Sequence, residues 1–377
     1  MRKTGILERS REGKNLLLMN NKGKQAHLKI VIVMVACMTF YTSGCTPIAQ
    51  SALPEPALAV TSTEIVTEPT MVLPTATPLE QKEEIPVSPM DIEALRARDY
   101  PASGLTIEET LDPGGNYQRF IASYISDGSR IFGLLTIPNE LKPEGGYPTI
   151  LFLHGFIPPD TYVTTADYVA SQDGLARSGF VTYKPDLRGH GRSEGIASGA
   201  HFSDAYVVDT LNALSALEIF DEVDPNRIGV WGHSNGGLLG LRAIVITDKL
   251  KASVFWAGVV GSYEDMLETY YSRIDFLQRL APKVIAEFGL PSENPDHWKR
   301  VDPFSYLESI NGPVQIHHGT SDSSVPVELS ISLNEALLEA GKDVELFQYP
   351  GADHNLYGAD FDAAMARTVE FFRKNLE

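Results

Sequence analysis

From about residue 100 the chain alternates short apolar runs with segments whose apolar residues recur every three or four positions. Gln118–Ile125 and Arg130–Ile137 read as two strands flanking Asp127-Gly128, the composition of a two-residue hairpin turn. Further runs follow at Thr149–Leu153, Phe180–Tyr183, Ile228–Trp231, Ser253–Trp256, Val314–Ile316 and Val344–Tyr349. Between them Val207, Leu211, Leu214 and Leu217 fall on one helical face, and a second helix is predicted over Leu329–Leu338. Continuous apolar strands need cover on both faces, so the pattern predicts an α/β fold with a mostly parallel eight-stranded sheet, antiparallel at its start. No period of a repeat architecture is present.

One stretch breaks the alternation. Residues 261–311 hold no strand pattern but carry helix-like segments rich in aromatic residues. An insertion of this length inside a compact domain is expected to be functional or separately packed. It is read as a small helical cap, with Trp256, Tyr263, Tyr270 and Trp298 lining a substrate pocket beneath it; the alternative is an extra layer over a sheet edge.

The first hundred residues follow a different rule. Residues 1–44 carry eight basic and two acidic side chains, and Ile30–Tyr41 is an uncharged run of twelve. That is short for a bilayer span but suits the core of a signal peptide; translation from Met19 would give its basic region a more usual length. Thr42-Ser43-Gly44-Cys45 resembles the lipobox of bacterial lipoproteins, with Thr42 where Leu is usual, so Cys45 is expected to be lipidated. From Thr46 to Met90 there are eight prolines and seven threonines with no glycine or aromatic residue, which describes an extended spacer rather than a core. The expected organisation is a signal peptide with lipobox over 1–45, a Pro/Thr-rich disordered linker over 46–99 and a catalytic domain over 100–377. An exported protein, lipid-anchored on the outer face of a bacterial membrane, follows from this, with plain secretion as the alternative.

Charge sharpens the division. The 377 residues carry a formal net charge of −18, with +6 in residues 1–44 and therefore −24 in the remainder. That field repels a phosphate backbone, so nucleic acid is not an expected partner. The two cysteines, Cys37 and Cys45, fall at or before the expected cleavage point. No His/Asp/Glu cluster has ligand spacing and no HExxH occurs, so neither a metal nor another cofactor is expected.

The chemistry concentrates after the run Ile228–Trp231, where Gly232-His233-Ser234-Asn235-Gly236 precedes a helical segment. This is G-x-S-x-G in the strand–turn–helix setting that gives the motif meaning. A turn this sharp at Ser234 leaves no room for side chains two positions either side, hence the glycines. A serine hydroxyl needs a base within hydrogen-bond reach, oriented by an acid, and in this arrangement the order is Ser, acid, His. Four histidines follow Ser234, namely His297, His317, His318 and His354. His297 falls in the cap, and His317-His318 closes a strand ahead of any acid, which leaves His354 after the last strand. Asp322, in Gly319-Thr320-Ser321-Asp322, is the natural orienting acid; Asp353 is the weaker one. The backbone N–H groups of Phe156, in His154-Gly155-Phe156, and of Asn235 are placed to form an oxyanion hole. His154 is read as a loop-ordering residue. The Asp186–Ser193 loop is read as structural, with glycines for a tight turn and Asp186 and Arg188 as buried polar anchors.

Together these residues resemble the α/β-hydrolase superfamily, and within it the catalytic domain of the prolyl oligopeptidase family of serine peptidases. The resemblance runs from about Gln118 to Leu376 and implies Ser234, Asp322 and His354 as the catalytic triad. It departs at His154-Gly155-Phe156-Ile157, where the family often has His-Gly-Gly-Pro, and at Asn235, where it often has Tyr. Those peptidases usually carry a β-propeller ahead of the hydrolase domain, and here the linker stands in that place. The expected activity is hydrolysis of carboxylic esters or small amides through an acyl-serine intermediate. The alternatives are a peptidase acting on short peptides and a catalytically silent binding protein on the same scaffold. Acyl and leaving-group preference and oligomeric state are not legible at this level.

Overall fold

The computed structural model describes residues 88–377. The expected signal segment, Cys45 and most of the expected linker lie outside the described residues. The linker boundary is corrected: residues 88–99 fold. Asp91 caps α1 (Ile92–Ala97) by accepting the Ala94 N–H, and Ile92 and Leu95, one turn apart, are buried. Arg300 Nε donates to Asp91 at 2.6 Å, which ties this short helix to the segment over residues 261–311. Proline-rich composition concealed it because six residues with two apolar positions carry almost no periodic signal.

The sheet has nine strands in the order β1-β2-β3-β5-β4-β6-β7-β8-β9. They are β1 (Thr106–Leu111), β2 (Tyr117–Ser126), β3 (Ser129–Pro138), β4 (Tyr147–Leu153), β5 (Val181–Pro185), β6 (Val223–His233), β7 (Ser253–Trp256), β8 (Val314–Gly319) and β9 (Val344–Tyr349). All eight predicted strands are present and β1 is additional. It is an edge strand, mostly exposed, pairing only with β2 through an irregular register, and its sequence Thr-Ile-Glu-Glu-Thr-Leu offers just two apolar side chains. The β2–β3 turn is Asp127-Gly128, both residues at positive φ, the two-residue turn that the strands' twist favours. Strands β4 to β9 are mutually parallel, and every residue of β4 and β5 is buried.

Helices cover both faces. α3 (Ala205–Glu218), α4 (Asn235–Ile246) and α8 (Val327–Glu339) lie on one face, and α2 (Val169–Ala176) and α9 (Ala359–Leu376) on the other. The period-2 rule sorts the strand side chains between them. Leu151, Val230 and Phe255 join the first core, whereas Phe152, Trp231 and Trp256 join the second. Residues 261–311 are helical, comprising α5 (Tyr263–Asp265), single π and 3₁₀ turns to Arg273, α6 (Asp275–Phe288), α7 (Pro295–Val301) and a 3₁₀ segment at Pro303–Ser309. Because the chain passes from β4 to β5 on one side and then to β6 on the other, the crevice beyond the C-terminal ends of β4 and β6 is the topological switch point, where ligands bind in open α/β sheets.

Candidate active site

Ser234 sits at that crevice, between β6 and α4, with φ 56° and ψ −121°. A non-glycine residue there is strained, and the surroundings hold it: the Ser234 N–H donates to the Trp256 carbonyl at 3.1 Å, and its own carbonyl accepts from Gly237 and Val259. The glycines are obligatory on steric grounds. A Cβ on Gly232 would lie 2.3 Å from the Gly236 oxygen, and one on Gly236 would lie 2.0 Å from the Leu153 oxygen. Asn235 is the first residue of α4, so its N–H has no intrahelical acceptor. Phe156, 69% exposed, lies just past β4 on the rim of the same cavity.

His354, on the loop after β9, donates from Nδ1 to Asp322 Oδ2 at 2.7 Å. Asp322, on the loop after β8, has a fully buried side chain, and both its oxygens are engaged. Oδ1 accepts the N–H groups of Ser324 and Val325 at 2.7 and 3.0 Å, and Oδ2 accepts from His318 Nε2 at 3.1 Å as well as from His354. Burial alone would push this carboxyl up, but the donors from His318 and His354 outweigh it and hold Asp322 well below the usual carboxylate range. Asp353 is exposed, and among the described residues its carboxylate accepts only the Asn355 N–H, a loop-turn contact. Ser234 and His354 share a cavity of about 560 Å³, and among the described residues no hydrogen bond joins them directly.

The remaining histidines sort by environment. His317 is buried between Gln315 and Tyr349, and His297 is buried flat against Phe288. His154 bonds the Gly155 and Asp186 carbonyls, as a loop-ordering residue would. The Asp186–Ser193 loop is anchored as its composition suggests: Arg188 pairs bidentately with the buried Asp209, and Asp186 accepts from Tyr162 and Thr164 hydroxyls. Three histidines carry more than the sequence reading gave them. His318 holds the Asp322 carboxylate. His233 Nε2 bonds the His354 carbonyl at 2.9 Å. His201, buried and pushed down to about 4 by that burial, bonds Asn235 Oδ1 at 3.2 Å. Position could have flagged His233, since it adjoins the serine; nothing in the sequence marks His201.

The pocket residues are corrected in three cases of four. Tyr270 lines the Ser234 cavity. Trp256 does not: it ends β7 on the α9 face, packs against Trp231 and Phe361, and donates its indole N–H to Thr368 at 3.0 Å. Tyr263 and Trp298 line a neighbouring cavity of about 500 Å³, bounded also by Phe202 and Phe288. The Ser234 cavity takes its apolar wall instead from Phe156, Leu187, Ile274, Phe276 and Leu277.

A serine held at a strained strand–helix elbow over the switch point of a mostly parallel sheet defines a serine hydrolase of the α/β-hydrolase fold. Residues 168–377 match the model of the prolyl oligopeptidase family, and the chain belongs to that family. It is 31% identical over 243 residues to the uncharacterized peptidase YtmA of Bacillus subtilis, an alignment that covers 64% of this chain and 88% of YtmA. Among solved structures it resembles acetyl xylan esterase 1 of Thermoanaerobacterium sp. (TM-score 0.57, 17% identity, 74% of this chain and 90% of that one). It also resembles dipeptidyl peptidase 4 of Porphyromonas gingivalis (TM-score 0.56, 21% identity), covering 69% of this chain and 36% of the peptidase. At these identities the two structures speak to the fold alone.

Proposed function

We propose that the protein hydrolyses carboxylic esters or small neutral amides through an acyl-Ser234 intermediate, with His354 as base and Asp322 as orienting acid. The observation that carries the reading is the 2.7 Å bond from His354 Nδ1 to Asp322, on a ring that shares a cavity with the strained Ser234. Nδ1 is committed as a donor, which leaves Nε2 to take the serine proton. Ser234 Oγ adds to the acyl carbon as that proton passes to Nε2, and the carbonyl electron pair moves onto oxygen beside the Phe156 and Asn235 N–H groups. Each such donor is worth about 3 kcal/mol of barrier. Collapse expels the alcohol or amine, which takes the proton from His354, and water repeats the cycle on the acyl-enzyme. Serine–histidine contacts of this kind commonly tighten only with substrate bound.

The cavity wall supports a neutral acyl group. Among the described residues that line it, none is Asp, Glu, Lys or Arg. A charged substituent would be desolvated there without a partner, and a free α-amino group would meet no carboxylate. A fluorophosphonate probe tests the chemistry: it should label the wild type and not Ser234→Ala, and unlabelled folded wild type would sink the proposal along with leaving only a silent binding protein. The second reading, a peptidase for short peptides, is favoured by the family and by YtmA. Matched p-nitrophenyl esters and aminoacyl anilides, with and without N-acetylation, separate the two by kcat/KM.

Export belongs to the same proposal, resting on the basic and apolar pattern of residues 1–45. Metabolic labelling with radioactive palmitate should tag the expressed protein and fail on Cys45→Ser; equal labelling of both would refute lipidation at Cys45.

A further inference from the structure

The loops after β4, β6 and β9 are joined by a chain of hydrogen bonds that uses neither Ser234 nor Asp322. His233 is buried, and burial first of all pushes its imidazole down to about 3, so the ring is neutral and offers one donor and one acceptor. Nε2 faces the His354 carbonyl at 2.9 Å and must therefore carry the hydrogen. Nδ1 is then the acceptor, and the Tyr168 hydroxyl, 2.7 Å away, donates to it. The Tyr168 oxygen itself packs directly over Gly155.

Two further features show that Tyr168 is held in place for this contact. It has φ 61°, left-handed backbone that a bulky residue adopts only when its surroundings impose it. A Cβ on Gly155 would lie 2.3 Å from the Tyr168 oxygen and 3.0 Å from Ser234 Cβ, so the glycine lets the hydroxyl pack against the backbone one residue before Phe156.

We propose that Tyr168 and His233 are positioning residues, forming a relay that fixes Gly155, the residue before the Phe156 N–H, and the His354 backbone relative to one another. The inference rests on the roles proposed above for His354 and the Phe156 N–H. Its consequence is that the base and one oxyanion donor are set together, and loosening the relay displaces both. Displacement of reacting groups by about 1 Å can cost about a hundredfold in rate.

The test compares wild type with Tyr168→Phe, His233→Leu, His233→Gln and the Tyr168→Phe/His233→Leu double variant, on a p-nitrophenyl ester. A trifluoromethyl ketone, whose adduct oxygen occupies the oxyanion site, serves as a second probe. Tyr168→Phe and His233→Leu should each lower kcat about tenfold or more with KM within about twofold, and weaken the ketone by a similar factor. The double variant should be no slower than His233→Leu, because the two residues act as one chain. His233→Gln, whose amide can still donate to the His354 carbonyl, should recover part of the loss. Wild-type kcat and ketone affinity in Tyr168→Phe would overturn the relay, as would additive effects in the double variant or a fall in melting temperature with unchanged kinetics. Failure of the wild type to label at Ser234 would instead overturn the functional reading beneath it.

Discussion

His318 and His354 meet on a single oxygen: Asp322 Oδ2 accepts from His318 Nε2 at 3.1 Å and from His354 Nδ1 at 2.7 Å. His318 also bonds Ser330 and the Val325 carbonyl, so it is fixed from α8 and from the loop that carries Asp322. A hydrogen bond to a charged group contributes about 1.5–3 kcal/mol. His318→Phe is therefore expected to lower kcat/KM by about tenfold to a hundredfold while leaving Ser234 reactive towards a fluorophosphonate. Activity equal to wild type would show that His354 needs no second donor on its partner.

Asp322 itself should be far more sensitive. Asn at this position presents an N–H where His354 Nδ1–H points, which favours the wrong tautomer, and the analogous change in the chymotrypsin triad costs about 10⁴ in kcat. Steady-state rates of Asp322→Asn at pH 7 should fall by about that factor; a loss below tenfold would argue that His354 is oriented by other groups.

How much of this was legible depended on whether the information was local. The elbow was, because Gly232 and Gly236 are demanded by contacts within a few residues and with the end of β4. The pairing of Asp322 with His354 was legible because chain order constrains which loop each comes from. Trp256 was misplaced because a four-residue strand buried on both faces has no solvent-facing side to set its parity; only the fold reveals that Phe255 faces α4 and Trp256 faces α9. His233 and His201 escaped for a related reason. They precede or adjoin the nucleophile, so the ordering rule that found His354 set them aside, and their contacts to His354 and Asn235 are made across the fold. The edge strand β1 and helix α1 were lost to weak periodicity.

The glycine argument carries its own prediction. Gly236→Ala places a methyl 2.0 Å from the Leu153 oxygen, which is backbone and cannot rotate away. Either the elbow opens or β4 shifts. We expect destabilisation of about 3 kcal/mol or more in urea denaturation, with loss of hydrolase activity. An Ala variant of native stability would mean that the elbow tolerates a different backbone.

Acid dependence of stability should contain two opposed contributions. Burial raises the Asp186 carboxyl to about 6, partly offset by its bonds from Thr164 and Tyr162 and by Lys184. Between about pH 4 and 6 the folded protein then holds a proton that the unfolded chain releases, so this group's contribution is full below about pH 4 and is lost as pH rises through 6. Asp322 acts with the opposite sign: its depressed value stabilises above about pH 4 and is lost as pH falls further. Denaturation midpoints measured from pH 4 to 7 should show a shallower decline in Asp186→Asn than in wild type. An unchanged slope would show that Asp186 is ionised throughout.

The corrected pocket separates two aromatic residues that the sequence had grouped together. Trp256 lies in the α9-side core with its indole N–H on Thr368, whereas Tyr270 lines the Ser234 cavity and is itself nearly buried. Trp256→Phe removes ring volume and one hydrogen bond from a packed core, and should cost about 1–3 kcal/mol in stability with KM for any ester unchanged. Tyr270→Ala opens the cavity wall beside Ile274 and Phe276, and should shift the preferred acyl chain towards longer esters. Measured across p-nitrophenyl esters of rising chain length, the optimum should move in Tyr270→Ala and stay fixed in Trp256→Phe. A moved optimum in the Trp256 variant would return that residue to the pocket and reverse the strand parity argument, because a side chain on the α9 face has no route to the acyl group except through displacement of β7.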